Sequence, residues 1–187
     1  LRLQIGHYRD YALPEPDFSP TRAHPTINSA LLDKIRHGKV HPRPGIQKVS
    51  GQTVYFADNA TAQYDVLIAA TGYKISFPFF DRDFLDWEEA AHIPLFLRIF
   101  HPDHPSLFFV GLIQPQGCIW PLAEIQARLI GQLLTNKIQL PLNWRKLALS
   151  EGRNRAQQFI ARPRHSIEVH YYPYLKQLQR MIQGQIK

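Results

Sequence analysis

The sequence predicts an α/β fold, and three observations lead to that prediction. Two short runs, Val66–Ala70 and Leu107–Ile113, are apolar on both faces, as strands in the middle of a parallel sheet are. Each run ends at a polar segment that contains glycine, Thr71–Gly72 after the first and Gln114–Gly117 after the second. An amphipathic helical pattern follows. Because ligands of open α/β sheets bind at the carboxyl ends of the strands, these two strand ends are the candidate functional sites.

The composition indicates a folded protein with excess positive charge. The chain has 187 residues, of which 44% are hydrophobic and 20% charged, which is a length for one domain or parts of two. The net charge of +7 suits an anionic partner, such as a nucleotide, a nucleic acid or an acidic membrane surface. A solvated basic face is the alternative interpretation. The basic side chains concentrate late in the chain, at Arg145, Lys146, Arg153, Arg155, Arg162 and Arg164.

The first third of the chain is predicted to contain an extended segment, one short helix and one hairpin. Residues 1–25 contain four prolines and no apolar periodicity, which predicts an extended segment. A short helix is predicted over Asn28–His37. A hairpin is predicted to pair Ile46–Val49 with Thr53–Phe56 around a turn at Ser50–Gly51.

The remaining elements are predicted from apolar spacing. Residues 76–93 are expected to form a connecting loop, and Leu95–Ile99 a short strand before the second apolar run. Pro121–Leu134 is predicted to be a helix, because four apolar residues recur at helical spacing, Leu122, Ile125, Leu129 and Leu133. Two further helices are predicted in the tail, at Trp144–Phe159 and Tyr174–Ile182.

No catalytic side chain and no metal site is predicted. His37 and His41 are four residues apart, but Gly38 and Pro42 break any helix that would align them. His101 and His104 lie in a proline-rich turn with no thiol and no carboxylate other than Asp103 at ligand spacing. Cys118 is the only cysteine, so an internal disulfide is impossible, and no histidine signature accompanies it. We therefore expect a packed thiol there.

Four segments together resemble the C-terminal part of the flavin-containing monooxygenases. They are His24–Asn28, Asp65–Phe79, Leu95–Phe100 and Gly111–Arg128, in the family's order, and the last is the most specific. The resemblance covers about residues 24 to 140. Ala70–Tyr73 on its own also occurs in related Baeyer–Villiger and N-hydroxylating enzymes.

The resemblance implies a Rossmann-like flavoprotein with two dinucleotide-binding domains. Residues 1–78 would end an NADPH-binding domain, 79–145 would complete an FAD-binding domain, and 146–187 would form a helical tail on the outside. The family's two Gly-x-Gly-x-x-Gly loops do not occur in this sequence. We therefore expect a partial chain that does not turn over alone.

The resemblance also implies the cofactors FAD and NADPH. Gln114, Gln116 and Gly117 are expected to contact the flavin, with Thr71 and Gly72 as a second set at the hinge between the domains. The start of the following helix would direct its N–H groups at the edge of the flavin where negative charge collects on reduction. Gly117, which has no side chain, would let the backbone approach the flat ring.

The implied reaction is a monooxygenation. NADPH would reduce the flavin, O2 would form a C4a-hydroperoxide, and one oxygen would pass to a soft nitrogen or sulfur nucleophile. Two alternatives remain open, Baeyer–Villiger oxidation of ketones with the same cofactors, and a non-catalytic basic module that binds anions or nucleic acid. The expected partners are a small-molecule substrate and O2, without nucleic acid or an integral membrane segment, in the cytoplasm. The oligomeric state is left open.

Overall fold

The structure is a computed structural model that describes residues 6–16, 28, 30–90, 92–159 and 165–185. Most of the predicted extended segment lies outside the described residues, as do Arg162 and Arg164 and the side chains of Arg153 and Arg155. The chain forms two compact units, which divide between Thr71 and Gly72.

The first unit begins with short helical elements. A 3₁₀ helix spans Tyr8–Tyr11, and helix α1 spans Ala30–Arg36. The Asn28 side-chain oxygen caps α1 by accepting the N–H groups of Ala30 and Leu31 at 2.9 and 3.0 Å. Gly38 follows α1 with a φ of +65°, the left-handed conformation that ends helices. The predicted helix is therefore confirmed, with shorter bounds.

The predicted hairpin is confirmed and gains a third strand. Strands β1 (Ile46–Ser50), β2 (Thr53–Phe56) and β3 (Thr61–Gln63) form an antiparallel sheet in the order β1-β2-β3. Val54 and Phe56 point to one face of β2 and are 2% and 4% exposed.

The predicted strand at Val66–Ala70 is wrong for this structure. These residues form no strand, and Val66, Leu67 and Ile68 are 73%, 59% and 82% exposed. The physical reason is the lack of a neighbour. A strand needs a hydrogen-bonded partner on at least one side, and no strand among the described residues pairs with this run, although β1 and β3 are edge strands.

The second unit is built around three helices and a small parallel sheet. Helix α2 spans Trp120–Leu134, α3 spans Trp144–Gln158, and α4 spans Tyr171–Ile182. Strands β4 (Gln114–Pro115) and β5 (Glu168–Val169) pair in parallel. The three predicted helices are confirmed, although α4 begins three residues earlier than predicted.

One hydrophobic core joins all three helices. Its buried side chains include members of each helix, Leu122 and Leu129 from α2, Trp144 and Ala148 from α3, and Leu178 and Met181 from α4. The tail helices therefore contribute core side chains, although an outside position was predicted for them.

The two strands predicted at Leu95–Ile99 and Leu107–Ile113 are wrong. The first segment is a tight turn in which Phe96 bridges Phe100, with left-handed φ angles of +52° at Leu97 and +57° at Arg98. In the second segment, the β-pairing that the structure describes is a single antiparallel bridge between Phe108 and Phe100. Both segments are apolar because they pack against helices and aromatic rings rather than inside a sheet.

Residues 76–90 and 92–93 contain no helix or strand, as the loop prediction expects, but they are packed. Leu85, Trp87 and Ile93 form a second hydrophobic cluster with Leu95 and Phe109. A mixed α/β fold is confirmed. The Rossmann-like arrangement of two domains stays a prediction.

Candidate functional site

Residues 111–119 run from the end of the second apolar run to the start of α2. They form a loop that hydrogen bonds fix at several points, and we call them the site loop. At its start, the Gly111 N–H donates to the Gln126 side-chain oxygen at 2.8 Å. At its middle, the Gln114 N–H donates to the Ile167 carbonyl at 2.8 Å, which aligns β4 with β5. The Gly117 N–H closes a small turn by donating to the Pro115 carbonyl at 2.9 Å. Gln114, Gln116 and Gly117 thus lie together in one anchored loop.

Gly117 lies against an aromatic ring of the protein itself. Its φ is +149°, and a Cβ added there would lie 3.1 Å from the Tyr171 ring. Glycine is therefore favoured by the positive φ and by a close contact inside the chain. The flat ring that this backbone approaches in the structure is the side chain of Tyr171.

The start of α2 is open. Ile119 precedes the helix in a helical conformation and provides no side-chain cap, and the first turn contains no acidic residue. Cys118 is exposed, so the packed thiol expected from the sequence is wrong, and Trp120 is 77% exposed. The Leu122 and Ala123 N–H groups donate to the Ile119 carbonyl and Pro121 has no N–H, so this start offers mainly the partial positive charge of the helix, which suits an electron-rich group.

Thr71 and Gly72 are both exposed and have no regular secondary structure. Gly72 has a φ of +87°, and no heavy atom lies within 4 Å of the position of an added Cβ. Thr71 ends the first unit and Gly72 begins the second, whereas Gln114, Gln116 and Gly117 all belong to the second.

Two residues behind the site loop were not predicted. Gln126 is completely buried, and its amide nitrogen donates to the Tyr174 hydroxyl at 2.7 Å. The Tyr174 hydroxyl in turn donates to the Leu97 carbonyl at 2.6 Å. One signal was available in the sequence. Gln126 lies four residues after Leu122, on the apolar face of the helix, where a polar side chain needs buried partners.

His101 and His104 are packed among aromatic rings. His101 is 6% exposed, and its Nδ1 accepts the backbone N–H groups of Asp103 and His104 at 3.2 Å each. The Trp87 ring stacks on it at 5.9 Å between centroids. Burial lowers the pKa of His101, and the nearby His104 lowers it further, while Asp103 raises it. In the part of the chain that the structure describes, no three His, Cys, Asp or Glu side chains are grouped as metal ligands would be.

The helices are short or polar. Across the described ranges, none is both long enough and apolar enough to cross a bilayer.

Comparison with known proteins assigns the chain to a family. The model of the "Flavin-binding monooxygenase-like" family matches residues 4–186, so the chain belongs to that family. The resemblance stated from the sequence is confirmed, and the class of enzyme that the family defines is the flavin-dependent monooxygenase.

Individual relatives agree with this assignment. Flavin-containing monooxygenase 5 of Rattus norvegicus is 28% identical over 173 residues, which are 90% of this chain and 32% of the relative. The 4-hydroxybenzoate brominase (decarboxylating) of Marinomonas mediterranea is 34% identical over 162 residues, 84% of this chain and 30% of the relative. The solved S-allyl-L-cysteine S-oxygenase of Allium sativum matches with a TM-score of 0.57 and 25% identity, over 76% of this chain and 34% of that one. This chain spans about a third of the length of these relatives.

Proposed function

We propose that this chain supplies part of the cofactor region of an FAD- and NADPH-dependent monooxygenase that oxygenates a soft nitrogen or sulfur nucleophile. The observation that carries the proposal is the family match over residues 4–186. The sulfur oxygenase among the solved relatives supports the choice of nucleophile.

The residues of the site loop fit the edge of a flavin. The backbone N–H groups of Gln114 and Gly117 are already used within the chain, by Ile167 and Pro115. We assign the flavin contacts to the side-chain amides of Gln114 and Gln116 and to the positive end of the α2 dipole. Since the first turn of α2 has no acidic residue, no negative charge opposes an electron-rich ring edge there.

Bound FAD, reduced by NADPH, supplies the activation of O2 that no amino-acid side chain supplies. The contribution of this chain is to bind and orient. The dipole of α2 stabilises negative charge at the ring edge, and the buried residues Ile113 and Pro115 keep water away from the back of the loop. No side chain of the loop is assigned as an acid, a base or a nucleophile.

We also propose the domain plan that the resemblance implies, with residues 1–78 in an NADPH-binding domain, 79–145 in an FAD-binding domain and 146–187 as the helical tail. The exposed apolar segment Val66–Ala70 supports it, because such a run suits a strand covered on both faces. Thr71 and Gly72 would then lie at the hinge between the domains.

The proposed function is tested with the polypeptide at its natural length, supplied with FAD and NADPH. We expect visible flavin absorbance, and consumption of NADPH coupled to the addition of one oxygen atom to a thioether or a tertiary amine, measured by mass spectrometry. A protein that shows no flavin absorbance after incubation with saturating FAD and removal of the unbound FAD would contradict the proposal.

The same assay separates the alternatives. An ester formed from a ketone would assign Baeyer–Villiger chemistry. Bromination of a phenol in the presence of bromide would instead follow the brominase relative. Binding of DNA or RNA that weakens steeply with salt, without flavin binding, would favour the basic binding module.

A further inference from the structure

We infer that the C-terminal segment Ile167–Leu178 is a positioning element that holds the site loop in the shape needed for flavin binding. The inference rests on the proposed function and extends it to residues that touch no cofactor. The segment contacts the loop directly at Gln114 and Gly117, and it is connected to Gly111 through Gln126 of α2.

The first contact is a buried chain of hydrogen bonds. The Gly111 N–H can only donate, so the oxygen of the Gln126 amide must face it and the amide nitrogen must face Tyr174. The Tyr174 hydroxyl, which accepts from Gln126, is left to donate to the Leu97 carbonyl. Gln126 is 0% and Tyr174 3% exposed, so loss of any one partner leaves a buried polar group unpaired.

The second and third contacts lie further along the loop. The parallel pairing of β4 with β5 sets Gln114 opposite Glu168, and the Gln114 N–H donates to the Ile167 carbonyl. At Gly117, the Tyr171 ring occupies the space of a side chain. The loop is thus supported from behind at its beginning, middle and end.

The segment is itself tied to the left-handed turn at Leu97 and Arg98. Tyr174 donates to the Leu97 carbonyl at 2.6 Å, and the buried Arg98 donates from Nη2 to the Ser166 carbonyl at 2.8 Å. Both bonds end on neighbouring residues of one buried turn. The segment is therefore anchored to the buried core as well as to the loop.

The test variant is Tyr174→Phe, which removes one hydroxyl and keeps the ring. It is made in the protein at its natural length and studied by hydrogen exchange of the apoprotein and by titration with FAD. We expect faster exchange of the backbone amides of residues 111–117, a dissociation constant for FAD about threefold to tenfold higher, and a flavin absorption spectrum closer to that of free FAD. Gln126→Met, which breaks the same chain of bonds at its centre, should have the same effects, and it serves if the first variant fails to fold.

The matched control is Val54→Ala. Val54 is a buried aliphatic residue of β2, 2% exposed, and it belongs to the first unit, whereas the segment and the site loop belong to the second. This variant should lower stability while leaving the loop exchange and the FAD dissociation constant at their wild-type values. Equal effects of Tyr174→Phe and Val54→Ala on the loop, or none from either bond-breaking variant, would overturn the inference. If the wild type binds no FAD, the proposed function fails, and the exchange measurement alone still decides whether the segment holds the loop.

Discussion

His101 is a buried histidine whose environment favours the neutral ring. Its Nδ1 accepts two backbone N–H groups, which a protonated ring could not do. Burial, followed by the effect of His104, lowers the pKa of His101 below its usual value of 6.5. The unfolded chain then binds this proton more readily than the folded protein does. The free energy of unfolding should therefore fall as the pH drops from about 6.5 through the folded pKa.

We predict that His101→Asn reduces this pH dependence. The asparagine side-chain oxygen can accept the N–H group two residues later, as in an Asx turn, and it does not titrate in this range. Urea denaturation at a series of pH values would measure the slope of stability against pH. A variant with the wild-type slope below pH 6.5 would show that His101 is not its source.

Gly117 gives a second prediction at the level of one residue. Gly117→Ala places a methyl group against the Tyr171 ring at a φ of +149°, so we expect a loss of about 1–3 kcal/mol in the free energy of unfolding. Gly131→Ala is the control, because Gly131 lies within α2 with no heavy atom near an added Cβ. That control should stabilise the helix by up to about 1 kcal/mol. Chemical denaturation compares the two variants, and equal tolerance would refute the preference for glycine at 117.

Among the elements, the helices and the β1–β2 hairpin were predicted well from the sequence, whereas the strands predicted from continuous apolar runs were not. The periodic apolar positions of α2 and the left-handed Gly38 after α1 are local signals, and both gave correct elements. Val66–Ala70 and Leu107–Ile113 are apolar runs that indicate burial without specifying the partner. A strand forms only when a neighbour is present, and in this structure the first run is uncovered and the second packs on rings and helices.

The turn at Leu97 and Arg98 could not be predicted for a different reason. Both residues adopt positive φ, which residues other than glycine, asparagine and aspartate seldom do. The surrounding core fixes them there, with exposures of 0% and 3%. Apolar residues at Leu95–Ile99 therefore indicated a strand where tertiary packing produces a turn.

The exposed segment Val66–Ala70 predicts self-association of the 187-residue chain. Contiguous apolar residues with unpaired backbone groups favour contacts between molecules. The double variant Val66→Lys, Ile68→Glu should lower the molar mass measured by light scattering at high protein concentration. Leu142→Lys is the control, because Leu142 is a fully exposed apolar residue outside that segment. A wild-type chain that stays monomeric over the same concentrations would contradict the prediction.

For the molecule as a whole, the division into two units predicts where a protease cuts first among the described residues. The segment from Val66 to Lys74 has no helix or strand, and the Tyr73 side chain is fully exposed. Brief treatment with chymotrypsin should cleave after Tyr73, and Tyr73→Ser should abolish that product on a gel. Early cleavage within α2 or α4 instead would show that the helical core is less stable than its burial indicates.

Only part of the candidate site could be expected from the sequence, because the residues that support it come from distant parts of the chain. The glycines, glutamines and proline of the site loop are adjacent in sequence, so a local pattern reveals them. Their support is remote, since Gln126 and Tyr174 lie 48 residues apart and Tyr174 lies 77 residues from Leu97. No periodicity within one element links such partners, and the fold alone brings them together.

The three tryptophans of the chain differ in their exposure to solvent. Trp87 and Trp144 are each 8% exposed, whereas Trp120 is 77% exposed at the open start of α2. Quenching of fluorescence by iodide should therefore report almost entirely on Trp120 in the native protein. A cofactor that covers the start of α2 would shield Trp120, while the emission maximum of Trp87 and Trp144 stays constant. Cofactor binding and denaturation could therefore be followed separately in the same sample.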